Sequence, residues 1–392
     1  MKTIEIKIPY SRENFSFYFN TNFNPSIVKY SENRYLVSCH SFRRYKIDQE
    51  TVASRIADTE NNSNHPWYGG PDSNTWWIPT NKGFWGTIFF DLFFDGVNYR
   101  VIEVFHTFRN IVDVRLFKLT RNRIYVTGNA KFPNLNFGRD RKKYDLPEAS
   151  ECDNDFCSTM GATMIDYSIS NNAIKFIDIE ETYPICNNIS VINDKNWSVW
   201  FYNRLYISYL LVPRHIVIYP TELESDDCVV KSETEISVFE RIEDYYDGAV
   251  FFSLSTPALP FDEKSYLAVG HVKIVPELIN EYDSPAFNFI SKHPNVPVHP
   301  LDIWYLIYFY TFDPQTVQIL KISHAFLPPD AEYGLVFASG LTMFDPDTFI
   351  VSYGEGDVKM KLMLITKAEI ESMLFTTDIS PNEYRFLKLN NS

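Results

Sequence analysis

The stretch KNWSVWFYNRLYISYLLVPRHIVIY, Lys195 to Tyr219, decides how the chain is read. A polar opening leads into an apolar run, which turns at Tyr202-Asn203-Arg204. An alternating run then ends in a Pro-Arg-His cluster. Alternation over a handful of residues, bounded by Asn and Pro, is the mark of short antiparallel strands. The same design returns four more times: NPSIVKYSENRYLVSCHSF from Asn24, VDVRLFKLTRNRIYVTGN from Val112, STPALPFDEKSYLAVGHVKI from Ser255 and ASGLTMFDPDTFIVSYGEGD from Ala338. The units recur every roughly 60 to 90 residues, enough for four short strands and their loops, the content of one propeller blade. The expectation is all-β: a single five-bladed β-propeller domain over residues 1–392 with a central-channel pocket. Its inner strands fall near 24–42, 112–129, 195–219, 255–274 and 338–363.

Composition agrees with strands. Aromatic residues make up 16% of the chain, with 25 Tyr and 32 Phe, and aromatic and β-branched side chains suit a pleated, half-buried surface. The strongest helical segment is Thr366–Leu374. A formal net charge of −14 argues against nucleic acid as a partner, since phosphate binding needs a basic face. No run of 18 apolar residues occurs and the N-terminal MKTIEIKIPYS has no apolar core, so a soluble intracellular protein is expected, with no membrane partner. Usage rich in Asn, Ile, Lys and Tyr is what an AT-rich genome, viral or protist, produces. The five cysteines, Cys39, Cys152, Cys157, Cys186 and Cys228, form no CxxC pair and are expected as free thiols in a reducing compartment. Oligomeric state is open.

Inner strands of a propeller begin at one mouth of the channel, so the polar openings should converge there: Asn24, Asp113 with Arg115, Lys195 with Asn196, Thr256 and Ser339. The second strands end in His40 with Arg43 and Arg44, Asn129, His215, His271 and Asp357. Polar residues gathered at the ends of apolar strands suit a pocket on a rigid scaffold. The loop from His65 to Trp85 holds four of the seven Trp and could cover such a pocket, whereas Ser150–Cys157 reads as a solvated linker between the second and third units. His293 and His299, in SKHPNVPVHP, read as surface loop rather than metal ligands.

The segments VDVRLFKL…RIYVTGN, KNWSVWFYNRLYISYLLVPRH and FASGLTMF…FIVSYGEGD, in that order, resemble glycoside hydrolase family 130, the mannoside phosphorylases and hydrolases. They also resemble the related glycosyltransferase-like propellers acting on β-mannosyl linkages. The resemblance spans about 24–363. It implies Asp113 as the catalytic acid, Arg115 following it as in Asp-x-Arg, Asp357 on sugar hydroxyls, and Lys195, His215 and His271 as cationic or hydrogen-bonding groups. Val112 and Val114 stand where the family has Glu and Pro. Arg43, Arg44, Arg109 and Arg214 are the candidates for gripping phosphate, and none matches the family's pair, so sugar binding is implied more firmly than phosphorolysis.

The chemistry that follows is inverting cleavage or transfer of a mannose-type glycosidic bond, with one carboxylic acid serving the bridging oxygen. No cofactor is called for; inorganic phosphate or a sugar phosphate would be a substrate. The apolar flank of Val112 and Val114 should raise the Asp113 pKa, and Arg115 should oppose it. Asp357 or Glu355 would be the second carboxylate if water attacks. The competing readings are a non-catalytic glycan-binding or scaffold propeller, and a sialidase-like or arabinanase-like glycosidase using other carboxylates.

Overall fold

A computed structural model describes residues 1–8, 21–42, 44–47, 68–69, 76–79, 85–108, 111–133, 156–170, 173–186, 196–220, 228–233, 235–280, 283–294, 296–298 and 302–390. Five large sheets, antiparallel except for one short parallel pair between Ala325–Leu327 and Phe386–Lys388, and one small sheet account for most of it. The first sheet orders Thr21–Ser31, Arg34–Phe42, Trp85–Phe94 and Tyr99–Phe108. The second runs Ile111–Lys118, Arg123–Pro133, Phe156–Ser170 and Ala173–Ile179, with Tyr183–Pro184 beside its third strand. The third runs Ser198–Tyr202, Arg204–Leu210, Ile216–Pro220 and Cys228–Ser232. The last orders Val336–Asp345, Thr348–Glu355, Lys359–Thr366 and then the N-terminal Lys2–Ile6. Between these two lies an eight-stranded sheet built on Val250–Leu254, Tyr266–Ile274, Trp304–Phe312 and Ile319–Ser323, with short additions including Leu374–Thr376 and Phe386–Lys388.

The core is divided among the gaps between neighbouring sheets, as radial packing requires. Ile27, Val37, Phe90, Ile350 and Leu362 fill the gap between first and last sheets. Leu36, Phe89, Leu116, Val126 and Ile165 fill that between first and second. Tyr125, Met164, Trp197 and Ile207 join second to third. A larger cluster, with Trp200, Val217, Leu267, Tyr308, Leu341 and Val351, spans the third, eight-stranded and last sheets. The ring is closed by the N-terminal strand, whose Lys2–Ile6 pairs with Met360–Leu364. A closed ring leaves few exposed edges for intermolecular pairing. The chain is thus a β-propeller with four regular four-stranded blades.

Side-chain bonds tie the inner strands to one another. Leu116 N donates to Ser26 Oγ at 2.9 Å, Ser339 Oγ donates to Pro25 O at 3.1 Å, and Ser198 Oγ donates to Thr256 O at 2.5 Å. Small hydroxyls suit this place, because Ser26, Ser198 and Ser339 are fully buried and each finds its partner on a neighbouring strand's backbone.

Helices are few and short: Val238–Tyr245, Pro285–Ser291 and Lys367–Met373 among the described residues. The last is capped by Thr366, whose Oγ1 accepts from Glu369 N while Glu369 returns the bond to Thr366 N. It occupies the expected helical segment. None of the described helices is long and apolar enough to cross a membrane.

Two expectations are corrected here. The segment Ser150–Cys157 falls within the second unit rather than between units: Phe156 and Cys157 open Phe156–Ser170, which pairs with Arg123–Pro133 of the same sheet, and its other residues lie outside the described ones. Cys186 and Cys228 are not free: they form a disulfide, Cα–Cα 5.0 Å, joining the end of the second sheet to the outer strand of the third. They stand 42 residues apart in sequence, and only the packing of two sheets brings them together. Such a bond persists in oxidising surroundings, which counts against the reducing compartment expected from cysteine spacing. Cys39 is a buried free thiol.

Candidate active site

Three of the expected openings share a backbone peculiarity. Asn24, Asp113 and Asn196 all adopt positive φ, at 48°, 51° and 68°. Asn and Asp are the side chains that tolerate this region best, because they bond to nearby backbone. The pairing register also slips here, between Phe23 and Ser26 in the first sheet, opposite Asp113 in the second, and between Ala338 and Gly340 in the last. The inner strand of the eight-stranded sheet is broken outright between Leu254 and Leu259. A bulge re-aims one side chain out of the pleat, and bulges gather next to active sites. In the second sheet the bulge depends on Gly128: a Cβ there would stand 2.6 Å from Val112 O and 2.8 Å from Ile111 Cγ1.

Asp113 is the centre of the group, its side chain keeping 29% of its surface exposed. Asn24 Nδ2 donates to Asp113 Oδ1 at 3.2 Å, and His40 Nδ1 lies 3.5 Å from the same oxygen. Burial acts to raise the Asp113 pKa, but the hydrogen bond and charge of His40, the Arg115 guanidinium and Asn24 together outweigh it. The net direction is down, well below the ordinary carboxylate range. This reverses the expectation from the flanking valines. Those residues were visible in sequence, whereas the His40 that opposes them comes from another sheet.

Arg115 is buried, and its fork is spent on the protein itself. Nη1 donates to Asp113 O at 2.6 Å, Nε donates to Ser255 O at 2.5 Å, and Nη2 lies 3.5 Å from Asn196 Oδ1. One side chain therefore ties the second sheet to the third and to the eight-stranded one. Burial lowers its pKa to about 10 while Asp113 works to raise it, so it stays charged at neutral pH. Its guanidinium carbon sits 5.2 Å from the Phe337 ring centre.

His271 continues the chain of contacts. Its Nδ1 is 2.7 Å from Ser255 Oγ, and its ring lies 4.7 Å from Phe337 and 5.8 Å from Tyr305, stacked on the latter. Tyr305 has a raised pKa, from burial first and the charge of Asp357 second. Asp357 itself stands at φ 52° in the turn after Thr348–Glu355. The structure thus links Asn24, Asp113, Arg115, Asn196 and, through Ser255, His271 by successive contacts, and the charge of Asp357 reaches Tyr305 beside them. Sequence reasoning did not reach Ser255, Tyr305 and Phe337, and gave His40 no role at Asp113. Phe337 directly precedes the fifth unit, and aromatic patterning alone does not mark it out among 32 Phe.

Other expected residues are placed differently. Ser339 is buried and bonded to Pro25 O, a tie between sheets rather than a wall of the site. His215 is fully buried. Its Nδ1 bonds to Val317 O at 2.7 Å, and its Nε2 is 2.9 Å from Ser208 Oγ, which also accepts from Trp200 Nε1 at 3.2 Å. A carbonyl can only accept, so Nδ1 carries the proton and the neutral ring is satisfied on both sides. Burial lowers its pKa to about 4. His215 therefore belongs to the packing between the third and eight-stranded sheets. Glu355 is likewise buried and held by Lys361 at 2.5 Å, so it is not an available second carboxylate.

Lys195, Arg43 and Arg109 lie outside the described residues, as does His299. Arg44 is described only as backbone of Arg44–Ile47, which pairs with Trp76–Pro79, itself paired with Tyr68–Gly69. The remainder of the Trp-rich loop also lies outside. His293 Nδ1 is 2.8 Å from Phe289 O, at the end of a short helix. The described residues hold no cluster of three metal-ligating side chains.

No protein-family model and no curated protein sequence matches the chain. Among solved structures it is similar to a β-1,2-mannobiose phosphorylase from Listeria innocua, with 12% identity, 91% of this chain and 92% of that chain covered, and a TM-score of 0.46. It is also similar to a mannose phosphorylase from Leishmania mexicana (11% identity, 91% and 87% covered, TM-score 0.41) and to the GH43_1 enzyme from Xanthomonas citri in complex with xylose (9%, 92% and 91%, 0.45).

Proposed function

We propose that this is a carbohydrate-active enzyme, a five-bladed propeller whose eight-stranded sheet counts as the fourth blade. Its reaction is an inverting transfer of a mannose-type glycosyl unit, run reversibly. The observation that carries the reading is Asp113, a carboxylate pushed out of an inner strand by a bulge and held between Asn24 and His40 with Arg115 beneath it. The mannose-type substrate comes from the resemblance of the sequence segments around Asp113, Asn196 and Asp357.

The ionised state of Asp113 suits it to act as the base in glycosyl transfer. A carboxylate can take the proton of an acceptor hydroxyl as that oxygen attacks the anomeric carbon. The donor's leaving group, a phosphate in a sugar-phosphate donor, departs with the bonding electrons. In reverse the Asp113 carboxyl returns that proton to the bridging oxygen, directly or through one sugar hydroxyl, within about 3 Å, as phosphate attacks the anomeric carbon and the acceptor leaves as its alcohol. Asn196 and Asp357 would hold sugar hydroxyls, and the faces of Tyr305 and Phe337 would meet the apolar C–H face of a ring.

The test is incubation with mannose-1-phosphate plus β-linked manno-oligosaccharide acceptors, and with the oligosaccharides alone, with and without phosphate. Products are read by mass spectrometry. Elongation by wild type that falls at least about a hundredfold in Asp113→Asn, the scale of a lost general acid–base group, supports the reading. One observation favours a glycan-binding propeller instead: Val112 and Val114 stand where the resembled family has Glu and Pro around its catalytic acid. Sugar binding unchanged in Asp113→Asn, with no turnover by wild type in any arm, would establish that second reading.

A further inference from the structure

We propose that the mouth of the channel opposite Asp113 is a second binding site, for an amphipathic anion: an apolar or aromatic body carrying one phosphate or carboxylate group. Inner strands that start together at Asn24, Asp113, Asn196 and Ser339 also end together, and their far ends enclose a cavity of about 530 Å³. Val28, Lys118, Phe201, Leu259 and Leu341, one from each of the five large sheets, contribute to its wall. At 3.3 Å per residue, the step from Asp113 to Lys118 puts this mouth roughly 16 Å from the carboxylate. The proposal is therefore independent of the reading of Asp113.

Two features set the ligand class. The wall is mostly apolar, and its aromatic members are held in place: Tyr266 OH donates to Phe201 O at 2.7 Å, and Phe117 is buried. The charged members are all cations. Lys29 and Lys118 line the cavity, and Arg121 follows in the adjoining turn. Lys29 is anchored, its Nζ donating to Phe344 O and its backbone N to Thr342 Oγ1 at 3.2 Å. Lys118 and Arg121 make no side-chain hydrogen bond or ion pair among the described residues. Burial lowers the pKa of Lys118, and the charges of Arg121 and Lys29 lower it further, with no carboxylate offsetting them. In a chain of net charge −14, three neighbouring cations at the rim of an apolar cavity call for a bound anion.

Octyl phosphate, titrated calorimetrically below its micelle concentration, is the probe. Octyl glucoside supplies the same body without the charge, and inorganic phosphate the charge without the body. Octyl phosphate should bind at least about tenfold more tightly than either, and Lys118→Met should remove about that factor, the worth of one charge-assisted bond. Met343→Trp, which fills the cavity from a partly exposed position, should abolish binding, while Asp113→Asn should leave it unchanged. Far-UV circular dichroism and urea midpoints confirm that the variants are folded. Vesicles of phosphatidylcholine doped with phosphatidic acid separate the sources. Co-sedimentation lost in Lys118→Met supports a membrane lipid, and calorimetric binding without co-sedimentation supports a soluble ligand. Equal binding of octyl glucoside, or octyl phosphate binding insensitive to both cavity variants, would overturn the proposal.

Discussion

Acid should weaken this protein through His215, and the size of the effect follows from its contacts. The ring donates from Nδ1 to Val317 O and receives Ser208 Oγ at Nε2, so a second proton at Nε2 would face a hydroxyl already committed to donating there. Burial lowers the pKa from 6.5 to about 4. The unfolded chain therefore takes up a proton first. Stability owed to the neutral ring is complete above pH 6.5 and is lost as pH falls towards 4. The full shift corresponds to roughly 3 kcal/mol, of which roughly 2 kcal/mol disappears between pH 7 and pH 5. Other groups titrate in this range, and Glu243, raised to about 7 by burial, runs the opposite way. The measurement is accordingly a difference: urea unfolding of wild type and His215→Gln at pH 7, 6 and 5. Gln cannot charge, so its curve should lack the His215 contribution, and the gap between the two proteins should narrow by roughly 2 kcal/mol from pH 7 to pH 5. A gap constant with pH would refute the neutral, sealed histidine and return His215 to the list of residues open to a ligand.

Other outcomes follow from the same contacts. Arg115→Met strands the carbonyls of Asp113 and Ser255 and removes a buried charge beside Asp113, so urea unfolding should show a loss of about 3 to 5 kcal/mol. Arg115→Lys, which keeps the charge but not the fork, should recover only part of it. Gly354→Ala pushes a methyl group into Asn24, 2.7 Å from its backbone N, and should reduce stability by about 1 to 3 kcal/mol while lowering any activity that depends on Asp113. Reducing the Cys186–Cys228 bond opens a loop of 42 residues, and should lower stability by about 4 kcal/mol on chain-entropy grounds. An unfolding midpoint unchanged by reductant would show that the second and third sheets are held together without the bond.

Much of the architecture is written locally. Each strand pair declares itself by alternation and by a turn residue able to adopt positive φ, as Asn33 does at 52° and Asn203 at 64°. The capped segment after Thr366 is equally local. The openings at Asn24, Asp113 and Asn196 were legible for a related reason: a bulge needs a residue that tolerates the left-handed region, and recurrence at matched places exposed the pattern. What stayed hidden depends on which strands become neighbours. The Asp113 pKa turns on His40 and Asn24 of the first sheet, Arg115 is explained only by Ser255 and Asn196, and Cys186 meets Cys228 only across a packed interface. His215 shows the same limit from the other side. A histidine at a strand end reads as a ligand group in sequence, and only the partners on both ring nitrogens make it part of the core. Periodicity and turn chemistry, which act within a few residues, set the strands and their polar openings. Charge, burial and hydrogen bonding between distant segments, which exist only once the sheets close their ring, decided which of those openings come into contact.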